Sequence, residues 1–196
     1  EWKNYALGDI TSMSSGGTPK SSVVEYYGGD IPWVSIADMT SQGKWILKTE
    51  RNLTNLGLES SSARLFSKNT ILYAMYASIG ECSIAKTELS SSQAILGIKC
   101  KNGLHFEFLY FHLCSLKEKI KLQGQQGTQS NLNAGMVKDF KIRLPDIGEQ
   151  KAIANVLNIC DEEIFITQQK LDSLKQEKKA LMQQLLTGKR RVKVAA

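Results

Sequence analysis

The sequence holds no apolar run long enough to cross a bilayer. The longest, residues 71–77, has seven residues, against the ~20 that a spanning helix needs. No signal peptide is visible, and because the chain starts at Glu1 rather than a methionine, its natural start is expected upstream. The four cysteines, Cys82, Cys100, Cys114 and Cys160, show no CxxC spacing. Each sits in an apolar or helical context, so they read as reduced core or seam residues of a cytoplasmic protein. The two histidines, His105 and His112, are seven residues apart, whereas helical metal sites use spacings of about three or four. Motifs of chemistry are missing too: there is no GxSxG elbow, no HExxH and no GxGxxG. Gly188-Lys189 lacks the upstream glycine of a phosphate-binding P-loop, because position 183 is Gln. The acidic cluster Asp161-Glu162-Glu163 lies in a helical stretch, where it forms a solvated face or pairs with lysines. Nothing here supports an enzyme, a bound metal or a resident cofactor.

What is present starts with charge. The net charge is +6 and the isoelectric point is near 9.1, which suits a polyanionic partner without proving one. Four of the positive charges lie in the tail, at Lys189, Arg190, Arg191 and Lys193. That tail equally suits the negative end of a helix dipole. A hydrophobic content of 42% with 22% charged residues describes a folded protein, not a disordered one.

The stretch from Pro145 to Gly188 organises the rest. Asp146 is a candidate N-cap with Glu149 at the capping-box spacing. Gly188 is a stop signal after Leu185 and Leu186. Leu157, Ile164, Leu171, Lys178 and Leu185 repeat every seven residues, and Cys160, Thr167, Leu174 and Leu181 form a second row. Alternating steps of three and four mark a coiled-coil seam. Such a helix is about 60 Å long, and should project from any compact domain. No other stretch is long enough to cover its seam, so a second chain is expected to do so. Leu157, Cys160, Ile164, Leu171, Leu174, Leu181 and Leu185 are the expected dimerisation residues, with Lys178 and Thr167 as possible register-setting interruptions.

Residues 1–145 read as one mixed domain, residues 146–188 as the long helix and residues 189–196 as a basic tail. After a short lead-in at residues 2–10, SSGGTPKS (residues 14–21) forms a turn with free backbone amides, able to cradle a phosphate or simply to turn. Tyr26-Tyr27-Gly28-Gly29 reads as another turn, and residues 31–36 as a strand that begins at a proline and closes at Asp38-Met39-Thr40. A further strand opens at residues 43–47. Residues 70–77, 81–86 and 93–100 have the spacing of a three-stranded meander. An amphipathic helix follows over residues 106–122, with Phe106, Leu109, Tyr110, Leu113 and Ile120 on one face and Lys117, Lys119 and Lys121 near its end. Residues 137–144, alternating apolar and charged, read as a closing strand.

Between helix and closing strand lies GQQGTQSNLNAG, residues 124–135. It has three glutamines, two asparagines, three glycines and no charge. Amide side chains offer a donor beside an acceptor, which reads an adenine edge bidentately. A solvated surface loop would look the same. The lysine-bearing helix end leading into it brings the nucleic-acid reading level with that one.

The order of these features resembles the DNA specificity subunit of type I restriction-modification systems. GGTPK (16–20), EYYGGDIPWVSIADM (25–39), ASIGECSIA (77–85), GTQSN (127–131), FKIRLPDIGEQKAIANVLNICDEEI (140–164) and KKALMQQLLTGKRRV (178–192) carry the resemblance across nearly the whole chain. It implies an α+β target-recognition domain followed by a spacer helix, with no catalytic residue of its own. It further implies double-stranded DNA as ligand, methyltransferase subunits as partners that alone hold S-adenosylmethionine, and restriction subunits as possible additions. Family members carry two recognition domains and two antiparallel helices. This chain has one of each, so it is expected to homodimerise or to be the second half, whole or excised, of a longer subunit.

On that reading base contacts come from Gln125, Gln126, Thr128, Gln129, Ser130, Asn131 and Asn133, with Asp38, Thr40 and Lys44 as further candidates. Backbone contacts come from Thr18, Lys20, Ser78, Lys86, Lys117 and Lys121. Residues 182–186 are candidates for the methyltransferase contact. Two alternatives stand beside it: the recognition part of a single-chain restriction-methylation enzyme, and a coiled-coil scaffold that binds no DNA.

Overall fold

The computed structural model describes residues 1–125 and 132–192; for residues 121–125 only the helical backbone is described. It contains two compact units, Glu1–Ala154 and Asn155–Ala196.

In the first unit, β1 (Lys3–Ala6) leads through a short helix α1 (Leu7–Ile10) into β2 (Thr11–Ser15). Next come β3 (Tyr27–Val34), α2 (Ile36–Gln42), β4 (Trp45–Ile46), β5 (Arg51–Leu53) and α3 (Asn55–Glu59). The chain continues through β6 (Ile71–Ala74), β7 (Cys82–Ala85), β8 (Ser90–Ser91) and β9 (Ile95–Cys100) to α4 (Phe106–Gln125). α5 (Ala134–Lys138) and β10 (Lys141–Leu144) lead to α6 (Ile147–Leu186). The fold is α+β with mixed sheets, as the sequence indicated.

The central sheet has the order β2-β9-β6-β7-β4, and only the β4–β7 pair in it is parallel. Because side chains alternate across a strand, β6 feeds two cores at once. Ile71 and Tyr73 enter a cluster with Ile84, Ile98, Leu109 and Leu113. Leu72 and Ala74 enter another with Val34, Met39, Phe66 and Ile95. Gly97 in β9 is held to glycine by packing, since a Cβ there would lie 2.2 Å from the Phe66 ring. A three-stranded sheet, β5-β3-β8, and a two-stranded ladder, β1-β10, complete the unit.

Four expectations change. The meander is not sequential: β6 lies between β7 and β9, because the chain leaves the sheet after β7 to place β8 beside β3. Residues 27–29 are not a separate turn but the irregular start of β3, whose register with β5 shifts between Tyr27 and Ile31. Asp38, Met39 and Thr40 do not close a strand. They lie in α2, whose capping box has the Ser35 hydroxyl accepting from the Asp38 amide and the Asp38 carboxylate accepting from the Ser35 amide. Val137 belongs to α5, so the closing strand starts only at Lys141.

α6 is capped as the spacing indicated in one half. Asp146 Oδ1 accepts from the amides of Gly148 (2.8 Å) and Glu149 (3.0 Å). The Glu149 carboxylate, however, accepts from the Trp2 indole instead of the cap amide (3.1 Å). The two-unit division falls inside this helix because Gln150 and Ala154 are buried in the first unit. Within the second unit the seam residues are exposed, Ile164 at 67% and Leu174 at 53% among them. Gly188 ends the helix with φ 71°.

Candidate nucleic-acid interface

The GGTPK turn is rigid. Gly16 and Gly17 donate their amides to Ile95 O (3.0 Å) and Ser91 O (2.9 Å). Gly17 O accepts from the Trp33 indole (2.9 Å), and Pro19 O accepts from the Tyr27 hydroxyl (2.8 Å). A Cβ on Gly17 would sit 2.2 Å from the Ala63 amide. The two glycine amides are thus already engaged, which corrects the reading of this turn as a ring of free donors. What it presents outward is Thr18 and Lys20, both exposed.

Asp38 and Lys44 are both used internally. Asp38 is 7% exposed. Its Oδ2 accepts from the Ser35 amide (2.8 Å) and hydroxyl (2.7 Å), and its Oδ1 from the Glu50 amide (2.9 Å). Lys44 pairs with Glu107 at 3.1 Å and lies 4.5 Å from the Phe111 ring centroid. These contacts stitch α2 to its neighbouring loop and β4 to α4, so both residues belong to the scaffold rather than to a base-reading edge. Thr40 is exposed on α2, its hydroxyl donating to Ala37 O (3.0 Å). Lys86 is exposed and packs 4.8 Å from the Trp45 ring centroid.

A second group gathers where α4 crosses the turn after β6. Lys117 pairs with Glu81; the carboxylate bond to its ammonium holds the pKa of Lys117 above the ordinary value. Ser78 is half-buried in the same turn. The chain returns here after the amide-rich segment, since Leu132 donates its amide to Met75 O (3.1 Å). Gln126, Thr128, Gln129, Ser130 and Asn131 lie outside the described residues, as do the side chains of Lys121 and Gln125. Asn133 caps α5, its Oδ1 accepting from the Met136 amide (3.0 Å). The structure therefore joins Ser78 and Lys117 to the base of that segment, and leaves Thr18, Lys20 and Thr40 on other parts of the unit.

Two structural residues escaped sequence reasoning. Gln150, 1% exposed, donates to Gly103 O and Pro145 O (both 3.0 Å) and accepts from the His105 amide (2.9 Å). Gln42 donates to Lys48 O (2.6 Å) and accepts from the amides of Leu47 and Lys48 (both 3.3 Å). A polar residue in an otherwise amphipathic helix is the only trace either leaves in the sequence.

Three thiols and one phenol are shifted by their surroundings inside the first unit. Burial pushes the Cys100 thiol up to about 12 and raises Cys82 and Tyr73 well above their ordinary values. Cys114 is lowered, chiefly by a hydrogen bond from Cys82. Among the described residues no cluster of three or more His, Cys, Asp or Glu side chains could hold a metal, and no helix is long and apolar enough to cross a membrane.

Comparison with known proteins decides the family. The model of the type I restriction modification DNA specificity domain matches residues 1–176. The chain belongs to that family. It is 34% identical over 165 residues to the type I restriction enzyme MjaIX specificity subunit of Methanocaldococcus jannaschii, spanning 83% of this chain and 38% of that one. It is 26% identical over 169 residues to the EcoR124I/EcoR124II specificity subunit of Escherichia coli, spanning 82% and 41%. The fold matches the HsdS subunit from Thermoanaerobacter tengcongensis with a TM-score of 0.71 at 16% identity, over 93% of this chain and 44% of that one. A structure described as the basis of complex assembly and conformational transition of the type I R-M system matches with a TM-score of 0.75 at 18% identity, covering 93% and 44%. This specificity domain thus spans less than half the length of the relatives it matches.

Proposed function

We propose that this chain is one DNA-reading half of a type I restriction-modification complex, directing methyltransferase subunits, and restriction subunits where they join, to half of a bipartite site. The observation that carries this reading is the pairing of a specificity-family recognition unit with a 40-residue helix whose apolar seam is exposed. Residues 1–145 read the DNA, residues 146–188 form the spacer and dimerisation helix, and residues 189–196 are a basic tail. The seam residues, from Leu157 to Leu185, pair with a second helix, either from another copy or from the other half of a longer subunit. The chain carries no catalysis of its own, and S-adenosylmethionine belongs to the methyltransferase. The assembly works in the cytoplasm.

Within the recognition unit, Thr18, Lys20, Ser78, Lys86, Lys117 and Lys121 hold the DNA backbone, while base contacts come from the amide-rich segment at residues 125–133 and from Thr40. The test is a methylome: the chain is expressed with its neighbouring methyltransferase subunit, alone and together with any second specificity half encoded beside it, in methylation-free cells and modified adenines are mapped. A split motif is expected. Its absence, with both proteins folded and bound to each other, would overturn the reading.

A further inference from the structure

The connection from β4 to β5, residues 47–50, has no regular structure, yet it is tied down at nearly every step. Gln42 holds the backbone of Leu47 and Lys48. The Thr49 hydroxyl accepts from the Trp33 amide (3.2 Å) and donates to Asn52 Oδ1 (2.9 Å). Buried Asp38 holds the Glu50 amide. Arg51 then pairs with Trp33 in the β3–β5 ladder. Loops gain such a scaffold when what they carry has to be held in one place.

What this connection carries is a pair of opposite charges. Glu50 and Arg51 are both exposed, and neither side chain bonds or ion-pairs with any described residue. Their backbone is fixed and their charged ends are free. Together with Trp33, Ser35 and Asp38 they line a cavity of about 220 Å³. Here Gln42 and Asp38 of α2 hold the backbone that carries the two charges.

We infer that the Glu50–Arg51 corner is a base-reading element, and that its object is a G·C pair in the major groove. The inference rests on the DNA-reading function proposed above. The chemistry selects the pair. A guanidinium donates two parallel hydrogen bonds to guanine O6 and N7, and a carboxylate accepts from the N4 amino group of the paired cytosine. An A·T pair in that register offers the guanidinium an amino donor where guanine has O6, and it offers the carboxylate the O4 acceptor where cytosine has its amine. Arg51 supplies the stronger discrimination, through its planar fork. Glu50 adds rejection, because its charge repels phosphate and is left unpaired against any base edge without an amino donor. This corner is distinct from the amide-rich segment, whose side chains suit adenine.

The test is selection from a random duplex library by the full chain in complex with its methyltransferase subunit, run on wild type, Arg51→Gln and Glu50→Gln. Both positions are exposed, so the variants should fold; melting curves confirm it. Wild type is expected to select a motif that includes at least one fixed G·C pair. Arg51→Gln should lower the preference at one such pair by roughly tenfold to a hundredfold, with the rest of the motif unchanged. Glu50→Gln should relax the same position by less. An unchanged motif in Arg51→Gln would overturn the inference while leaving DNA reading intact. A uniform fall in affinity for all sequences would overturn it as well, making Arg51 a phosphate contact. A wild-type complex that selects no motif would overturn both.

Discussion

Single residues hold this recognition unit together at points where backbone would otherwise be left without partners. Gln150 is the clearest. Its amide satisfies three backbone groups that come from the β9–α4 turn and the start of α6. Removing it strands buried donors and acceptors, each worth about 1–3 kcal/mol. Gln150→Ala is therefore expected to destabilise the first unit by on the order of 3 kcal/mol in denaturant unfolding; a loss below about 1 kcal/mol would show that water replaces the side chain. His112 makes a second, pH-dependent case. Burial lowers its pKa, against a smaller upward pull from a hydrogen bond to the Lys141 backbone, and its Nε2 is buried without a partner among the described residues. The unfolded imidazole takes a proton at its ordinary pKa of about 6.5, while the folded one takes it only at lower pH. The unfolded state thus binds more protons in that window. Stability is fully present above about pH 6.5 and falls as the pH drops through the folded pKa. His112→Gln should flatten the decline of melting temperature between neutral pH and pH 5; an identical decline in the variant would place the acid sensitivity elsewhere, for example at His105, whose pKa burial also lowers.

At the scale of elements, the sequence was most legible where one physical signal dominated. The seven-residue repeat and the Asp146 cap were enough to locate α6, and runs such as ILYA and ILGIKC located β6 and β9. α2 was missed because IADMTSQ is short and follows an apolar strand, although Ser35 and Asp38 stand at the spacing of a capping box. Sheet order was illegible for a different reason: β6 pairs with both β7 and β9 through contacts that no local pattern encodes. The candidate site was legible as composition and not as placement. Asp38 and Lys44 looked like readers because they are polar residues in a loop-like region, but burial and ion pairing engage them elsewhere. The seam supports a prediction of its own. Leu171 and Leu174 are 45% and 53% exposed on one copy, and such a stripe calls for another helix. The double variant Leu171→Glu/Leu174→Glu is expected to be monomeric in sedimentation while the first unit melts unchanged. A wild-type chain that is already monomeric at high concentration would assign the seam to a partner other than a second copy.

For the molecule as a whole, half-length has a geometric meaning. If two identical copies pair about a two-fold axis, the methylated motif must be palindromic around its gap; if this chain works beside a different half, the two arms of the motif will differ. The methylome separates these outcomes in one experiment. The β1–β10 ladder adds a last consequence. Lys3 lies opposite Leu144 and Ala6 opposite Lys141, so the backbone passes into and out of the bulk of the recognition unit side by side. A segment with such adjacent ends is a cassette: whatever is inserted between the two strands needs only to match one short ribbon to be mounted on the same helix. If the chain reads DNA as proposed above, recombination at that ribbon would exchange one reader for another in a single crossover pair, and a lineage carrying this architecture would acquire a new target without re-evolving its assembly.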